Sequence, residues 1–146
     1  MTPESTSFLL GRLVTQLERE GEQILRVETG ISYKRAVFLF VLRFLGTVTQ
    51  HHLAEALGYS DPAVSMMLRE LVKEGFVTTA PDPEHGRKQL VTLTPEGQEI
   101  AIRARHVLDA HFDELVQLAE VDDQQLRSIT TKLIMAIAEK RKKELS

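Results

Sequence analysis

The stretch that decides the fold is Thr47–Thr94, TVTQHHLAEALGYSDPAVSMMLRELVKEGFVTTAPDPEHGRKQLVTLT. Two short segments with apolar residues at helical spacing lie on either side of Gly58. Two segments rich in Val, Thr and Leu follow at 76–80 and 89–94, and a loop with prolines and a glycine separates them. Helical periodicity predicts amphipathic helices, and β-branched runs bounded by Pro and Gly predict strands. The order is therefore helix, turn, helix and β-hairpin.

Capping residues support the two helices of this stretch. Thr49 can cap a helix over 50–57, and Gly58 suits a left-handed turn at its end. Ser60 can cap the second helix, with Pro62 in its first turn, where proline is tolerated. The stripe of the second helix that we expect to be buried consists of Val64, Met67, Leu68 and Leu71.

The rest of the chain predicts further helices. Apolar residues recur at helical spacing over 7–27, and residues 33–45 are apolar nearly all round from Ala36, which predicts a buried helix. A long helix is expected from Pro95 to about residue 120, and a last one after Asp122, which with Gln125 resembles a capping box.

We therefore predict a mainly α fold with a small antiparallel β-hairpin wing, arranged as a winged helix-turn-helix with additional helices. The winged helix-turn-helix should span about 33–94. The additional helices should span about 7–29 and 95–144, all within a single domain over residues 1–146.

Composition excludes several classes of protein. Hydrophobic residues make up 42% and charged residues 27%, which is typical of a globular domain. The absence of cysteine excludes disulfides and cysteine chemistry. The longest apolar run, 36–42, is far shorter than the ~20 residues that span a bilayer, and the N-terminal residues do not resemble a signal peptide. We expect a cytoplasmic protein without membrane association.

Net charge argues mildly against a nucleic-acid partner. The chain carries −3, and between Thr47 and Pro95 four Lys and Arg stand against six Asp and Glu. Non-specific affinity for DNA comes from neutralising phosphates. A DNA-binding function must therefore depend on where the few cations lie.

The side of the second helix opposite its buried stripe is named here the recognition face. It carries a hydroxyl, a flexible apolar chain and two cations, which can contact phosphates, thymine methyl groups and guanine edges. A solvated helix face is the alternative and equally open from these residues alone; the preceding helix, the turn and the hairpin favour DNA. The members of the recognition face are Pro62, Ser65, Met66, Arg69 and Lys73.

The predicted hairpin tip, DPEHGRK at 82–88, contains a second group of candidates. Arg87 and Lys88 could enter a minor groove, although a polar turn that closes two strands is the alternative. We predict double-stranded DNA as the partner, contacted by Gln50, Ser60, Asp61, Pro62, Ser65, Met66, Arg69, Lys73, His85, Arg87 and Lys88.

Three segments resemble the MarR family of bacterial transcription regulators: LAEALGYSDPAVS, LRELVKEGFV and DPEHGRKQLVTLTPEG. The flanking helices fit as well, so the resemblance covers essentially the whole chain. It implies a dimeric winged helix-turn-helix in which the first helix and the last two form the dimer interface. It also implies that Ser65 faces DNA and that Arg87 enters the minor groove.

Some positions depart from the pattern of the family. Met66 and Thr79 stand where relatives often have Arg. His85 and Gly86 stand where an Asp and a basic residue are common. Because fewer phosphates would be contacted, we expect DNA binding to depend on salt less steeply than in a strongly basic relative.

The five histidines raise the question of a metal site. His51 and His52 are adjacent and should point in different directions, and His106 and His111 lack the i, i+4 spacing of paired ligands. Some relatives of the family sense zinc, and carboxylates that could complete such a site lie nearby in the sequence. Solvated or structural histidines are nevertheless the better interpretation. We therefore predict no metal and no cofactor. Below about pH 6.5, His51, His52 and His85 could add positive charge. The nearby carboxylates are Asp109, Asp113 and Glu114.

Both ends of the chain carry apolar stripes beyond the needs of a small winged domain. Packing within one chain is the alternative, but whole stripes at both ends favour a homodimer. The predicted dimer interface comprises Phe8, Leu10, Leu13, Leu17, Leu126, Ile129, Leu133 and Ile137.

The resemblance also implies a small aromatic or phenolic effector that binds between the dimer helices and the winged lobe. Tyr33, Phe38, Phe40 and Phe44 could line such a pocket, although these residues favour core packing.

The leading hypothesis is therefore a sequence-specific transcriptional regulator, a repressor that binds a pseudo-palindromic operator as a homodimer and is released by a small ligand. A winged-helix protein-interaction module is the alternative, which the net acidity supports. We predict no enzymatic activity, because the sequence shows no nucleophile–base pair and no Gly-rich phosphate loop.

Overall fold

The computed structural model describes residues 4–146. Six helices and three strands occur among these residues, and the strands form one antiparallel sheet in the order β1-β3-β2. In chain order the elements are α1 (Thr6–Glu28), α2 (Tyr33–Leu45), β1 (Val48–Thr49), α3 (Gln50–Leu57), α4 (Asp61–Lys73), β2 (Val77–Pro81), β3 (Gln89–Leu93), α5 (Pro95–Leu118) and α6 (Asp123–Leu145). The predicted mainly α fold with a hairpin wing is confirmed.

The chain forms two compact units, residues 1–108 and 109–146, with the boundary inside α5. The winged helix-turn-helix, from α2 to β3, lies wholly in the first unit. The single-domain organisation stays a prediction.

The predicted capping residues begin the helices of the winged region. Thr49 Oγ1 accepts a hydrogen bond from the His52 N–H at 3.1 Å, and Ser60 Oγ accepts one from the Ala63 N–H at 3.3 Å. Each bond satisfies a backbone donor that has no partner inside its helix. Gly58 ends α3 in the left-handed conformation at φ 71°, as its position in the sequence predicts.

The hairpin of β2 and β3 pairs from Val77 with Leu93 to Pro81 with Gln89, close to the predicted bounds. β1 was not predicted, since two residues are too few to show an alternating pattern. Val48 pairs with Val91 of β3, so β1 joins the start of α3 to the wing.

One hydrophobic core lies under α4, and the predicted stripe on this helix supplies three of its members. Gly97 lets α5 begin directly against the hairpin, because a Cβ at this position would overlap the carbonyl oxygen of Phe76. The buried apolar residues are Leu25, Ile31, Ala36, Phe38, Leu39, Leu42, Leu53, Ala54, Val64, Leu68, Leu71, Val77, Val91, Leu93, Ala101 and Ala104.

The prediction that α2 is buried all round is wrong at Phe44, which is 90% exposed. The buried residues of this helix, such as Phe38 and Leu42, share one side, and Phe44 lies on the opposite side. A continuous apolar run has no periodicity that could reveal which side faces outward.

Between residues 4 and 146, no helix combines the length and the apolar character that crossing a bilayer requires.

Candidate nucleic-acid interface

α4 presents the recognition face to solvent. Met66 is 63% exposed, Ser65 is half-buried, and Arg69 and Lys73 are exposed. Arg69 lies back along its own helix, since its Nε donates a hydrogen bond to the Ser65 carbonyl at 3.4 Å. The structure thus places on one helix face the side chains that the sequence predicted to read bases.

An ion-pair cluster fixes α4 on α2. Arg35 of α2 contacts Glu70 at 2.9 Å and Glu74 at 2.5 Å. Two acidic residues of the winged region are therefore paired within the chain, which lowers the negative charge that they would present to DNA.

His51 links α3 to the first residue of α4. Its Nε2 lies 2.8 Å from Glu55 Oε1, and its Nδ1 lies 3.2 Å from Asp61 Oδ1. The hydrogen bond to Asp61, followed by the negative charges of Asp61 and Glu55, raises the pKa of His51 above its ordinary value. This arrangement is named here the His51 bridge.

A shallow polar depression joins the His51 bridge to the wing, and it is named here the wing groove. It has a volume of about 290 Å³. It brings together four predicted DNA contacts, Gln50, Asp61, Arg87 and Lys88, that come from α3, α4 and the wing. The wing cations therefore lie beside the first turn of α4. The other lining residues are Thr49, His51 and Gln89.

His51 is not among the DNA contacts predicted from the sequence. Its i, i+4 spacing to Glu55 was a detectable signal, because such residues are neighbours on a helix. The contact with Asp61 crosses the turn between two helices, so spacing along one helix does not predict it.

Backbone and side-chain hydrogen bonds shape the tip of the wing. The Asp82 N–H donates to the Lys88 carbonyl at 2.8 Å, and the Lys88 N–H donates to the His85 carbonyl at 2.8 Å. The Asp82 carboxylate accepts from the Glu84 N–H at 2.9 Å. The side chains of His85, Arg87 and Lys88 are exposed at this ordered turn.

The remaining predicted contacts at the start of α4 are Ser60, Asp61 and Pro62, all of them exposed. The hydroxyl of Ser60 serves as the helix cap, and the carboxylate of Asp61 belongs to the His51 bridge. No group of three or more His, Asp or Glu side chains in residues 4–146 is arranged to hold a metal ion.

The four aromatic residues predicted to line an effector pocket are separated. Tyr33 lines a cavity of about 340 Å³. Phe38 lies in the core, Phe40 is half-buried, and Phe44 is exposed. The effector pocket stays a prediction, and of its four predicted residues Tyr33 lines this cavity. The other residues around that cavity are Glu18, Lys34, Val37 and Tyr59.

The predicted dimer residues leave apolar surface exposed in both terminal helices. In α1, Leu10 and Leu13 are exposed, whereas Phe8 and Leu17 are half-buried. In α6, no residue is buried, and only Leu126 among the predicted contacts is half-buried. The exposed residues of α6 are Ile129, Leu133 and Ile137.

Known proteins resemble this chain in sequence. Residues 29–88 match the model of the MarR family. The Uncharacterized HTH-type transcriptional regulator YdgJ of Bacillus subtilis (strain 168) is 26% identical over 98 residues. The match covers 67% of this chain and 60% of that relative, so it spans less than two thirds of the relative's length.

Solved structures share the fold. The transcriptional repressor CouR bound to a 23-mer DNA duplex superposes with a TM-score of 0.78 at 20% identity, over 92% of this chain and 93% of its own. The PcaV transcriptional regulator from Streptomyces coelicolor in complex with its natural ligand gives a TM-score of 0.70 at 18% identity, over 95% of this chain and 98% of its own. The winged region of this chain is thus similar in sequence to the MarR family, and nearly the whole chain shares the fold of these solved regulators.

Proposed function

We propose that this protein is a cytoplasmic DNA-binding transcriptional repressor that binds a pseudo-palindromic operator as a homodimer. The observation that carries the proposal is the wing groove, which joins the first turn of α4 to Arg87 and Lys88. A helix that enters a major groove and cations that reach the adjacent phosphates or minor groove must lie side by side in this way. The relative CouR, which has the same fold, was solved on a DNA duplex.

In this proposal α4 is the recognition helix. Ser65, Met66 and Arg69 meet base edges, and Lys73 meets a phosphate. Arg87 enters the minor groove beside the half-site. The other DNA contacts predicted from the sequence surround these positions, at the start of α3, at the start of α4 and on the wing.

Dimer formation is supported by the apolar surface of α1 and α6. Ile129, Leu133 and Ile137 are each at least half exposed, and a second copy that covers them would remove this apolar surface from water. A two-fold dimer presents two recognition helices about 34 Å apart, one turn of DNA, which matches a pseudo-palindrome.

Release by a small aromatic or phenolic ligand is the regulatory part of the proposal. The cavity beside Tyr33 is bounded by α1, α2 and the turn before α4, so an occupant would touch elements that support the recognition helix. PcaV, of the same fold, was solved with a natural ligand. Such a ligand lowers DNA affinity if it binds more tightly to a DNA-incompetent arrangement.

The test is binding of the purified dimer to the DNA upstream of its own gene, measured by fluorescence anisotropy at low salt. Arg87→Ala should weaken specific binding by about 1–3 kcal/mol. Arg26→Ala removes the same charge from α1, where Arg26 pairs with Glu22, and should leave affinity unchanged. No change in anisotropy with a verified dimer, or equal affinity of Arg87→Ala and the parent protein, would contradict the proposal.

A protein-interaction module is the second candidate function, because the net charge is −3 and acids outnumber cations in the winged region. It predicts no preference for the upstream DNA over a scrambled duplex. It also predicts that Arg69→Ala and Arg87→Ala leave the binding of the protein partner unchanged.

A further inference from the structure

The His51 bridge has a geometry that a neutral imidazole cannot satisfy. Nε2 faces Glu55 Oε1 at 2.8 Å and Nδ1 faces Asp61 Oδ1 at 3.2 Å. A neutral ring has one N–H and one acceptor nitrogen, whereas ionised carboxylates only accept. Only the imidazolium form donates to both carboxylates at once, so the contacts indicate a protonated His51.

The proton on His51 decides whether the charged groups at the wing groove carry a net positive charge or none. Arg87 and Lys88 face this groove from the wing, and Asp61 faces it from α4. Glu55 adds a second carboxylate from α3. With His51 protonated, the cations of this group outnumber the carboxylates; with His51 neutral, the two are equal in number. His52, the next residue of α3, is exposed and takes no part in the bridge.

We propose that His51 links proton binding to operator binding, because its imidazolium pairs with Asp61 and Glu55 and offsets one of their two negative charges where the wing groove meets a DNA phosphate. This inference rests on the proposed function. Loss of the proton removes one positive charge from beside the phosphate, so the carboxylates there repel the phosphate more strongly. Operator affinity therefore falls as the pH rises, and DNA binding in turn strengthens the hold on the proton.

The pH dependence begins at the ordinary histidine pKa and extends above it. The hydrogen bond to Asp61, helped by the charges of Asp61 and Glu55, raises the pKa of His51 above its ordinary value. The imidazolium form is thus complete below the ordinary histidine value and is lost as the pH rises through the raised one. Because the pKa of His51 is raised, the ion pairs of His51 with Asp61 and Glu55 also stabilise the folded chain at low pH. This stabilisation is lost as the pH rises through the raised pKa.

The experiment measures operator affinity by fluorescence anisotropy between about pH 6 and about pH 8.5 at constant ionic strength. For the parent protein, we expect the affinity to fall about threefold for each recognition helix engaged, or about tenfold for a dimer on both half-sites. His51→Gln should lose this dependence and bind as the parent does at high pH. His52→Gln serves as the matched control and should keep the dependence of the parent.

A second measurement, NMR titration of the His51 ring in the free protein, needs no DNA. The ring should titrate above the ordinary histidine range in the parent and return toward it in Asp61→Asn. Specific binding without pH dependence, the same dependence in His51→Gln, or a ring that titrates at the ordinary value would each overturn the inference alone. Failure to bind operator DNA at every pH overturns the proposed function, and the inference falls with it.

Discussion

In the proposed DNA complex, Arg69 is the residue of the recognition face that we expect to contact a guanine edge. Its Nε donates to the Ser65 carbonyl, which lays the side chain along the helix. The bond is long and exposed, so giving it up costs little. Lys73, one turn further on, carries its charge without a fork of donors and suits a phosphate better than a base.

Substitution of Arg69 and substitution of Lys73 should have different effects on DNA binding. Arg69→Ala should reduce discrimination between the operator and a scrambled duplex by about 1–3 kcal/mol, because the bidentate contact with guanine is lost. Lys73→Ala should weaken binding to both duplexes alike and lower the slope of log affinity against log salt by about one unit. Anisotropy titrations on both duplexes at several salt concentrations measure both quantities. Loss of discrimination in Lys73→Ala but not in Arg69→Ala would reverse the assignment.

At the level of elements, the start of α5 depends on Gly97. The Thr94 Oγ1 accepts from the Gly97 N–H at 3.0 Å and donates to the Gly75 carbonyl at 2.6 Å. The helix thus begins in contact with the end of α4 and with the hairpin, and no room for a side chain is left at Gly97. The wing and the first turn of α5 therefore hold a fixed relation.

Gly97→Ala should destabilise the fold by at least about 2 kcal/mol, because backbone must shift to admit the methyl group. The matched control is Gly86→Ala on the wing, where a Cβ meets open space and φ is not in the left-handed region. This control should change stability by less than about 0.5 kcal/mol. Urea unfolding followed by circular dichroism compares the two. Equal stability of both variants would show that the contact with Phe76 relaxes easily.

The elements differ in how far the sequence could predict them. α3 and α4 follow from local signals, since Thr49 and Ser60 act within their own first turns. β1 exists only through pairing with β3, which lies 40 residues away in the chain, and no local pattern marks it. The same holds for the site: α4 places the recognition face by periodicity alone, whereas the contact of His51 with Asp61 depends on how two helices meet.

At the scale of the whole molecule, packing within one chain leaves apolar residues of α1 and α6 exposed. α6 has no buried residue at all, although apolar residues recur along it. Burial within one chain therefore contributes little to the stability of α6, although helices gain most of their stability from packing.

Leu133→Asp should therefore convert the proposed dimer into monomers and lower operator affinity by at least about 100-fold, because an unpaired carboxylate would be buried at the interface. Lys132→Asp, one position earlier on the same helix, places the same carboxylate at a polar position and should leave the dimer intact. Sedimentation velocity reports the oligomeric state, and anisotropy reports the affinity. A dimeric Leu133→Asp would remove α6 from the proposed interface.

The pairing of acids within the winged region bears on how such a protein is distributed along a chromosome. Asp61 is held by His51, and Glu70 and Glu74 by Arg35, so these acids oppose the four Lys and Arg of Thr47–Pro95 less, but four cations are few to attract DNA of arbitrary sequence. Sequence-independent attraction is what retains regulators on the many competing sites of a genome. If a regulator has only weak sequence-independent affinity for DNA, a larger share of its copies is not bound to non-specific sites. Fewer copies per cell then suffice to keep a single operator occupied.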